Sequence, residues 1–257
     1  MTFTLTATPD EVIDRLVADI DRHGYGCLPD FIPAAALAAM RAFVSSALDR
    51  SSGEYVGFTG ASAVAGSALD AMAASQEFQH LMRRIYERGT GQEAPLVQFH
   101  QVLRCLSGKT ARKHSLNFHF DSYVVTALIP VEIPTTGRTG DLIMLPNRRR
   151  IRRSYAANLV DKLLLDNALS QFLLRSLMAL RLLPLVRIRP VPGNIYFFWG
   201  YRSIHTNEAC DPDKVRATAL FHFVDPHAAD RLMHKLRRPA RAAPGPSLGP
   251  VPVERRM

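Results

Sequence analysis

The sequence predicts an α+β chain in which helices come first and a β-sandwich core follows. Apolar residues recur at helical spacing through roughly the first ninety positions, and from about residue 95 the spacing changes to the alternation of strands. The strand-like stretches are short, rich in branched and aromatic residues, and punctuated by Gly, Pro and Asn. Helices grouped ahead of strands pack outside a sheet core rather than between parallel strands.

The elements follow in order. A helix is expected over 9–22, with Asp10 near its start, Val12, Leu16, Val17 and Ile20 at helical spacing, and Gly24 and Gly26 to stop it. Tyr25, Cys27 and Leu28 begin a short strand, and Phe31-Ile32-Pro33 leads into an alanine-rich helix over about 34–49. The Gly- and Ser-rich stretch from Ser51 to Ser67 reads as a loop, and residues 76–88 as another helix. Strands are expected from Leu96 to Leu106, Leu116 to Val131, Asp141 to Leu145, Val186 to Val191, Asn194 to Trp199 and Val215 to Val224. There is no internal repeat. One domain is expected over 1–238, and the Pro- and Gly-rich tail 239–257 is expected to be disordered.

At 257 residues the chain can bury a sizeable core, and 47% hydrophobic with 21% charged residues argues against wholesale disorder. Three widely spaced cysteines make neither a disulfide framework nor a zinc-type pair, which fits a reducing compartment. The first residues carry neither a basic leader nor an apolar core, so a cytoplasmic location is expected. The net charge of +9 is local: residues 145–190 carry ten Lys and Arg against two Asp, and 231–257 carry seven against one Glu. A uniformly basic nucleic-acid binder does not look like this, and no nucleic-acid partner is expected.

The chemistry-bearing residues begin at Asn117-Phe118-His119-Phe120-Asp121. In an extended chain His119 and Asp121 point one way and the phenylalanines the other, so both polar side chains reach one metal. With nine histidines in the chain, His-x-Asp also arises easily by chance. Downstream, a strand at 194–199 is closely followed by His205, and then by a hairpin-like loop with Asp211-Pro212-Asp213 at its tip. Two imidazoles and a carboxylate cap one face of an octahedral iron(II) and leave the other open. On the next strand Arg216, Thr218, Leu220 and His222 share a face. An inward Arg216 needs a planar anion, and a carboxylate fits it; the bland alternative is a surface arginine in a hairpin.

Together these residues resemble the iron(II)/2-oxoglutarate-dependent dioxygenase superfamily, and within it the phytanoyl-CoA dioxygenase-like group. The resemblance spans roughly residues 9–226. It rests on His119 and Asp121, then Gly140 to Asn147, Pro192-Gly193-Asn194, His205, and Arg216 with Thr218. It implies a double-stranded β-helix, a cupin-like jelly roll, flanked by N-terminal helices and a helical insert. It implies His119, Asp121 and His205 as iron ligands, and Arg216 with Thr218 as the grip on the distal carboxylate of 2-oxoglutarate. The implied cofactors are Fe(II), 2-oxoglutarate and O2. The implied reaction hydroxylates an aliphatic C–H bond of a small or lipid-like metabolite, releasing succinate and CO2. Halogenating relatives replace the ligand carboxylate by a small residue, so Asp121 argues for hydroxylation or a related oxidation. Thr126 and Gln101 are further candidates for contact with 2-oxoglutarate, and Arg104, Trp199 and His222 for the substrate pocket; each has a structural alternative. Where relatives often read Pro-Gly-Ser-His, this chain has Pro146-Asn147-Arg148-Arg149.

The insert, about 148–190, opens on Arg148-Arg149-Arg150-Ile151-Arg152-Arg153 and continues into a leucine-dominated stretch. Asp166, Arg175 and Arg181 interrupt it, which argues against a membrane span. Three readings stand. It is a lid for an anionic or lipid-like substrate, a peripheral contact with an anionic membrane, or a solvated arginine face over packed helices. A rival for the whole chain is a non-catalytic peripheral membrane or anionic-ligand binding protein that works through this insert.

Overall fold

In a computed structural model, which describes residues 4–228, the leading helices form where the apolar spacing places them. Helix α1 (Asp10–His23) buries Ile13, Leu16, Val17 and Ile20 and ends at Gly24, whose φ of 92° is the left-handed conformation that favours glycine. After strand β1 (Gly26–Leu28) comes α2 (Ala34–Arg50). The expected loop after it is not wholly irregular, because it contains strand β2 (Val56–Thr59). A short helix α3 (Ala68–Ala74) and then α4 (Gln76–Thr90) are N-capped by the hydroxyls of Ser67 and Ser75.

The remaining elements are β3 (His100–Leu106), β4 (Val125–Glu132), β5 (Leu142–Leu145), α5 (Tyr155–Asp166), α6 (Ala168–Ala179), β6 (Val186–Ile188), β7 (Ile195–Phe198), β8 (Ile204–Asn207) and β9 (Arg216–Phe223). Two antiparallel sheets result, one of six strands in the order β1-β7-β4-β9-β3-β2 and one of three in the order β6-β5-β8. This is the expected double-stranded β-helix, with helices packed on it. Alternation sorts the large sheet's side chains. Leu103, Ala127, Ile129, Ala219 and Phe221 join the helices' Ile13, Ile20, Met40 and Phe78 in the main core. Leu128, Tyr196 and Phe198 meet Leu142, Met144 and Ile188 of the small sheet in a second, inner cluster.

The expected single strand over 116–131 is interrupted. Leu116 has a φ of 55°, and residues 117–121 lie outside both ladders, with only an isolated bridge between His119 and His205. His205 lies on a strand, β8, that the sequence pattern does not predict; it pairs with β5, Met144 opposite His205. Among the described residues, 4–226 belong to one compact unit. The tail 239–257 lies outside the described residues.

Candidate metal centre

His119 and Asp121 are brought together with His205, and one ligand atom from each lies within 4.8 Å of the others. The Asp121 Oδ1 is 3.7 Å from His119 Nε2 and 3.4 Å from His205 Nε2. Both Nδ1 atoms face main-chain carbonyls, Asn117 O at 2.9 Å and Ser203 O at 3.1 Å. A carbonyl only accepts, so each Nδ1 carries the proton and each Nε2 turns its lone pair to the shared centre. Two such imidazoles and one carboxylate form the donor set of a facial triad.

The electrostatics agree with a cation site. Burial pushes the Asp121 carboxyl up, but His205, His222 and His119 outweigh it and hold the group well below the usual carboxylate range. Burial, reinforced by His205, pushes the His119 imidazole down to about 4, so it is neutral and able to ligate near pH 7. At His205 burial also acts downward, but Asp121 overrides it and raises the group.

Three neighbours seat Asp121. Thr126 donates its hydroxyl to Oδ2 at 2.6 Å, and His222 Nδ1 lies 3.0 Å from that hydroxyl and 3.5 Å from Oδ2. Gly200 accepts the Asp121 N–H through its carbonyl at 3.0 Å. A Cβ at Gly200 would run into Asp121 Oδ2 and Thr126 Oγ1, so only glycine leaves room for the carboxylate. Thr126 was expected to touch 2-oxoglutarate; it lines the cavity described next, and its hydroxyl hydrogen goes to Asp121.

Arg216 and Thr218 open onto the same cavity, about 190 Å³ between the two sheets, which Arg104, Asn207 and His222 also line. Arg216 is 2% exposed. Its Nε donates to Gly140 O at 2.5 Å and its Nη1 to Thr218 Oγ1 at 3.2 Å. No carboxylate of the described residues makes an ion pair with it. Burial, with Arg104 adding repulsion, pushes the guanidinium down to about 10, which still leaves it charged at neutral pH. A buried cation without a counter-ion is costly, and a ligand carboxylate at this spot would relieve it.

Two expected residues lie elsewhere. Along β3, His100, Val102 and Arg104 alternate with Gln101, Leu103 and Cys105. Gln101 therefore points away from Arg104 and lines a separate cavity with Asp70, Arg83 and Phe99. Trp199 packs into the helix-side core and donates from Nε1 to Asp21 Oδ1 at 2.8 Å. Neither lines the cavity of the triad.

The insert holds the ligand segment from behind. Arg175 Nε donates to Leu116 O at 2.8 Å. The Gln171 amide accepts from Phe118 N at 3.0 Å and donates to Phe118 O at 2.7 Å, as a neighbouring strand would. The Arg149 guanidinium lies 3.8 Å from the Phe120 ring centre, and Lys162 Nζ donates to Ser122 Oγ at 2.7 Å. Residues 116, 118, 120 and 122 are thus gripped on the side opposite His119 and Asp121. Gln171→Leu would take the amide away from three main-chain groups, Phe118 N, Phe118 O and Leu165 O, at a cost of about 2–5 kcal/mol. Denaturant unfolding should show the midpoint fall with its slope unchanged. An unaltered midpoint would show that the amide does not support this segment.

Neither protein-family models nor curated protein sequences give a match to this chain. Solved structures do match its fold. A Pseudomonas putida prolyl-4-hydroxylase aligns with a TM-score of 0.52 at 14% identity, covering 87% of this chain and 98% of its own. The α-ketoglutarate-dependent epimerase SnoN from nogalamycin biosynthesis aligns at 0.53 and 15%, covering 84% and 82%. SnoN in complex with Fe3+, α-ketoglutarate and nogalamycin RO aligns at 0.50 and 16%, covering 84% and 85%. The chain therefore has the fold of non-haem iron, 2-oxoglutarate-dependent oxygenases, and within that fold a His-Asp-His cluster able to hold a metal.

Proposed function

We propose that this protein is an iron(II)- and 2-oxoglutarate-dependent oxygenase. The observation that carries the reading is one cavity holding both the His119–Asp121–His205 cluster and the buried guanidinium of Arg216, which no carboxylate of the described residues ion-pairs. His119, Asp121 and His205 would hold the iron, a role consistent with their outward Nε2 lone pairs and ionised carboxylate. Arg216 and Thr218 would take the far carboxylate of 2-oxoglutarate, the guanidinium by paired hydrogen bonds and the hydroxyl by one more. Bound there, iron(II) with 2-oxoglutarate supplies oxidation of a C–H bond by O2, coupled to decarboxylation of the co-substrate to succinate and CO2.

The chain's own residues bind and orient. Asp121, fixed by Thr126, His222 and the Gly200 carbonyl, sets the direction of the triad. Arg104 and Arg216 make the cavity electropositive and suit it to a dicarboxylate; Arg104 is itself held by His114 O at 2.7 Å. Leu128, Leu142, Phe198 and Leu220 supply an apolar wall that limits water. Hydroxylation of a small or lipid-like metabolite, as in the phytanoyl-CoA dioxygenase-like group, is the finer reading, and the ordered residue set from His119 to Thr218 supports it.

Anaerobic titration of the folded protein with iron(II) and 2-oxoglutarate tests the reading. A weak visible charge-transfer band should develop only when both are present. Folded protein that binds iron but develops no such band would refute it.

A further inference from the structure

We propose that α5 and α6 form a docking surface for an anionic phospholipid bilayer, with the lipid phosphate received in a cleft at Arg148, Arg149 and Arg152. The inference goes beyond the oxygenase reading and is independent of it.

The two helices are amphipathic the wrong way round for a helix pair in water. Their inward side is largely polar: beside the buried Leu165, Asn158, Asp161, Lys162, Gln171 and Arg175 face the barrel or the ligand segment, and all of these polar residues but Asn158 make the hydrogen bonds that hold it or its neighbours. Their outward side is apolar. Leu163, Leu164, Leu169 and Phe172 are 63–76% exposed, and Val160 and Leu173 are exposed beside them. Spacings of 160, 163, 164 on α5 and 169, 172, 173 on α6 make one stripe on each helix. A contiguous exposed apolar patch on this scale marks an interaction surface. No helix among the described residues is long and apolar enough to cross a membrane, so the stripe lies on a surface rather than through one.

Charge selects the occupant. Arg148, Arg150 and Arg153 are exposed and make no ion pair among the described residues, and Arg181 is exposed at the far end beside Leu180 and Leu182. Residues 148–182 contain two carboxylates: Asp161, already bound by Arg149 and Arg152, and Asp166. A second copy of the chain would bring like charges together, whereas anionic headgroups complement them.

The cleft points to the same ligand independently. It has a volume of about 280 Å³, and Phe120, Arg148, Arg149, Arg152, Asp161 and Leu164 line it, so the basic residues, the carboxylate that Arg149 and Arg152 already bind, and the apolar stripe meet there. Arg149 is 8% exposed; its Nε donates to Tyr201 O and its Nη1 to Asp161, but its buried Nη2 has no partner. That nitrogen is shielded between the Phe120 and Tyr201 rings, so the exposed Arg148, which makes no ion pair among the described residues, is the cation left at the cleft for a phosphate oxygen.

Flotation of the full chain with vesicles tests this. Binding is expected to vesicles of phosphatidylcholine mixed with phosphatidylglycerol, and not to phosphatidylcholine alone. Two variants change only exposed side chains, and circular dichroism checks their folding. Leu164→Ser with Phe172→Ser and Leu173→Ser should lower the partition at least about tenfold. Arg148→Ala with Arg150→Ala and Arg153→Ala should lower it about fivefold per arginine, and less in high salt. The proposal is overturned if the protein ignores anionic vesicles, or if it binds them equally well in both variants, which would assign the binding to the basic tail. It is also overturned if sedimentation velocity shows a dimer that the leucine and phenylalanine substitutions dissolve.

Discussion

Asp121→Ala, and likewise His119→Ala, is expected to eliminate 2-oxoglutarate-dependent succinate formation in a protein that remains folded. Loss of an outer partner of a metal ligand costs roughly 10–100-fold in affinity or activity, and loss of the ligand itself should exceed that. Asp121 is the more informative of the two, because Thr126, His222 and the Gly200 carbonyl all converge on it. Asp121→Asn preserves its shape and removes its charge. If the carboxylate serves the metal, Asp121→Asn should remain folded, at a midpoint lowered by loss of the charge that its histidines stabilise, and yet bind iron(II) far more weakly. Succinate release that survives in either folded variant would show that the ligands were wrongly assigned.

Arg216→Ala is expected to separate co-substrate from metal. Truncating one partner of a buried, hydrogen-bonded charge pair costs about 2–5 kcal/mol, which corresponds to roughly thirtyfold to several thousandfold in the Kd for 2-oxoglutarate. Iron(II) affinity measured without 2-oxoglutarate should change by less than about threefold, since Arg216 is not among the ligand atoms. Stability discriminates as well. Arg216 is a buried cation that makes no ion pair with a carboxylate of the described residues, so its removal relieves a desolvation cost even as it frees Gly140 O. A purely structural Arg216 would instead give a large fall in the unfolding midpoint with iron and 2-oxoglutarate weakened equally. Arg216→Lys should recover only part of the affinity, because an ammonium cannot reproduce the paired hydrogen bonds.

Much of the cavity was legible in the alternation of single segments. His119 with Asp121, and Arg216 with Thr218, are each two residues apart, and that spacing alone turns both members to one side. The same rule separates Gln101 from Arg104, three apart on β3, so the two could not have served one cavity together. Trp199 lies just past the end of β7, where alternation along the strand gives no direction, and a hydrogen bond to Asp21 decides its place. Gly200 carried no signal. Its importance is steric and appears only when Asp121 and Thr126 are seen against it.

The sequence by itself determined which donor chemistries were present and which neighbours shared a face, since helical and extended periodicities are local properties of the backbone. It also showed that leucine and arginine were concentrated at 148–190. Tertiary structure decided the rest: that His205 reaches His119 and Asp121, that Arg216 is buried with no ion pair to a carboxylate of the described residues, and that the segment 116–122 is held by main-chain bonds to Asn207, His205 and Gly200 on one side and by side chains of the insert on the other. Those outcomes depend on pairings between residues tens of positions apart, such as Gln171 with Phe118 and Met144 with His205. No short-range pattern encodes such pairings, because the hydrogen bonds and excluded volume that select them exist only once the sheets and helices have packed.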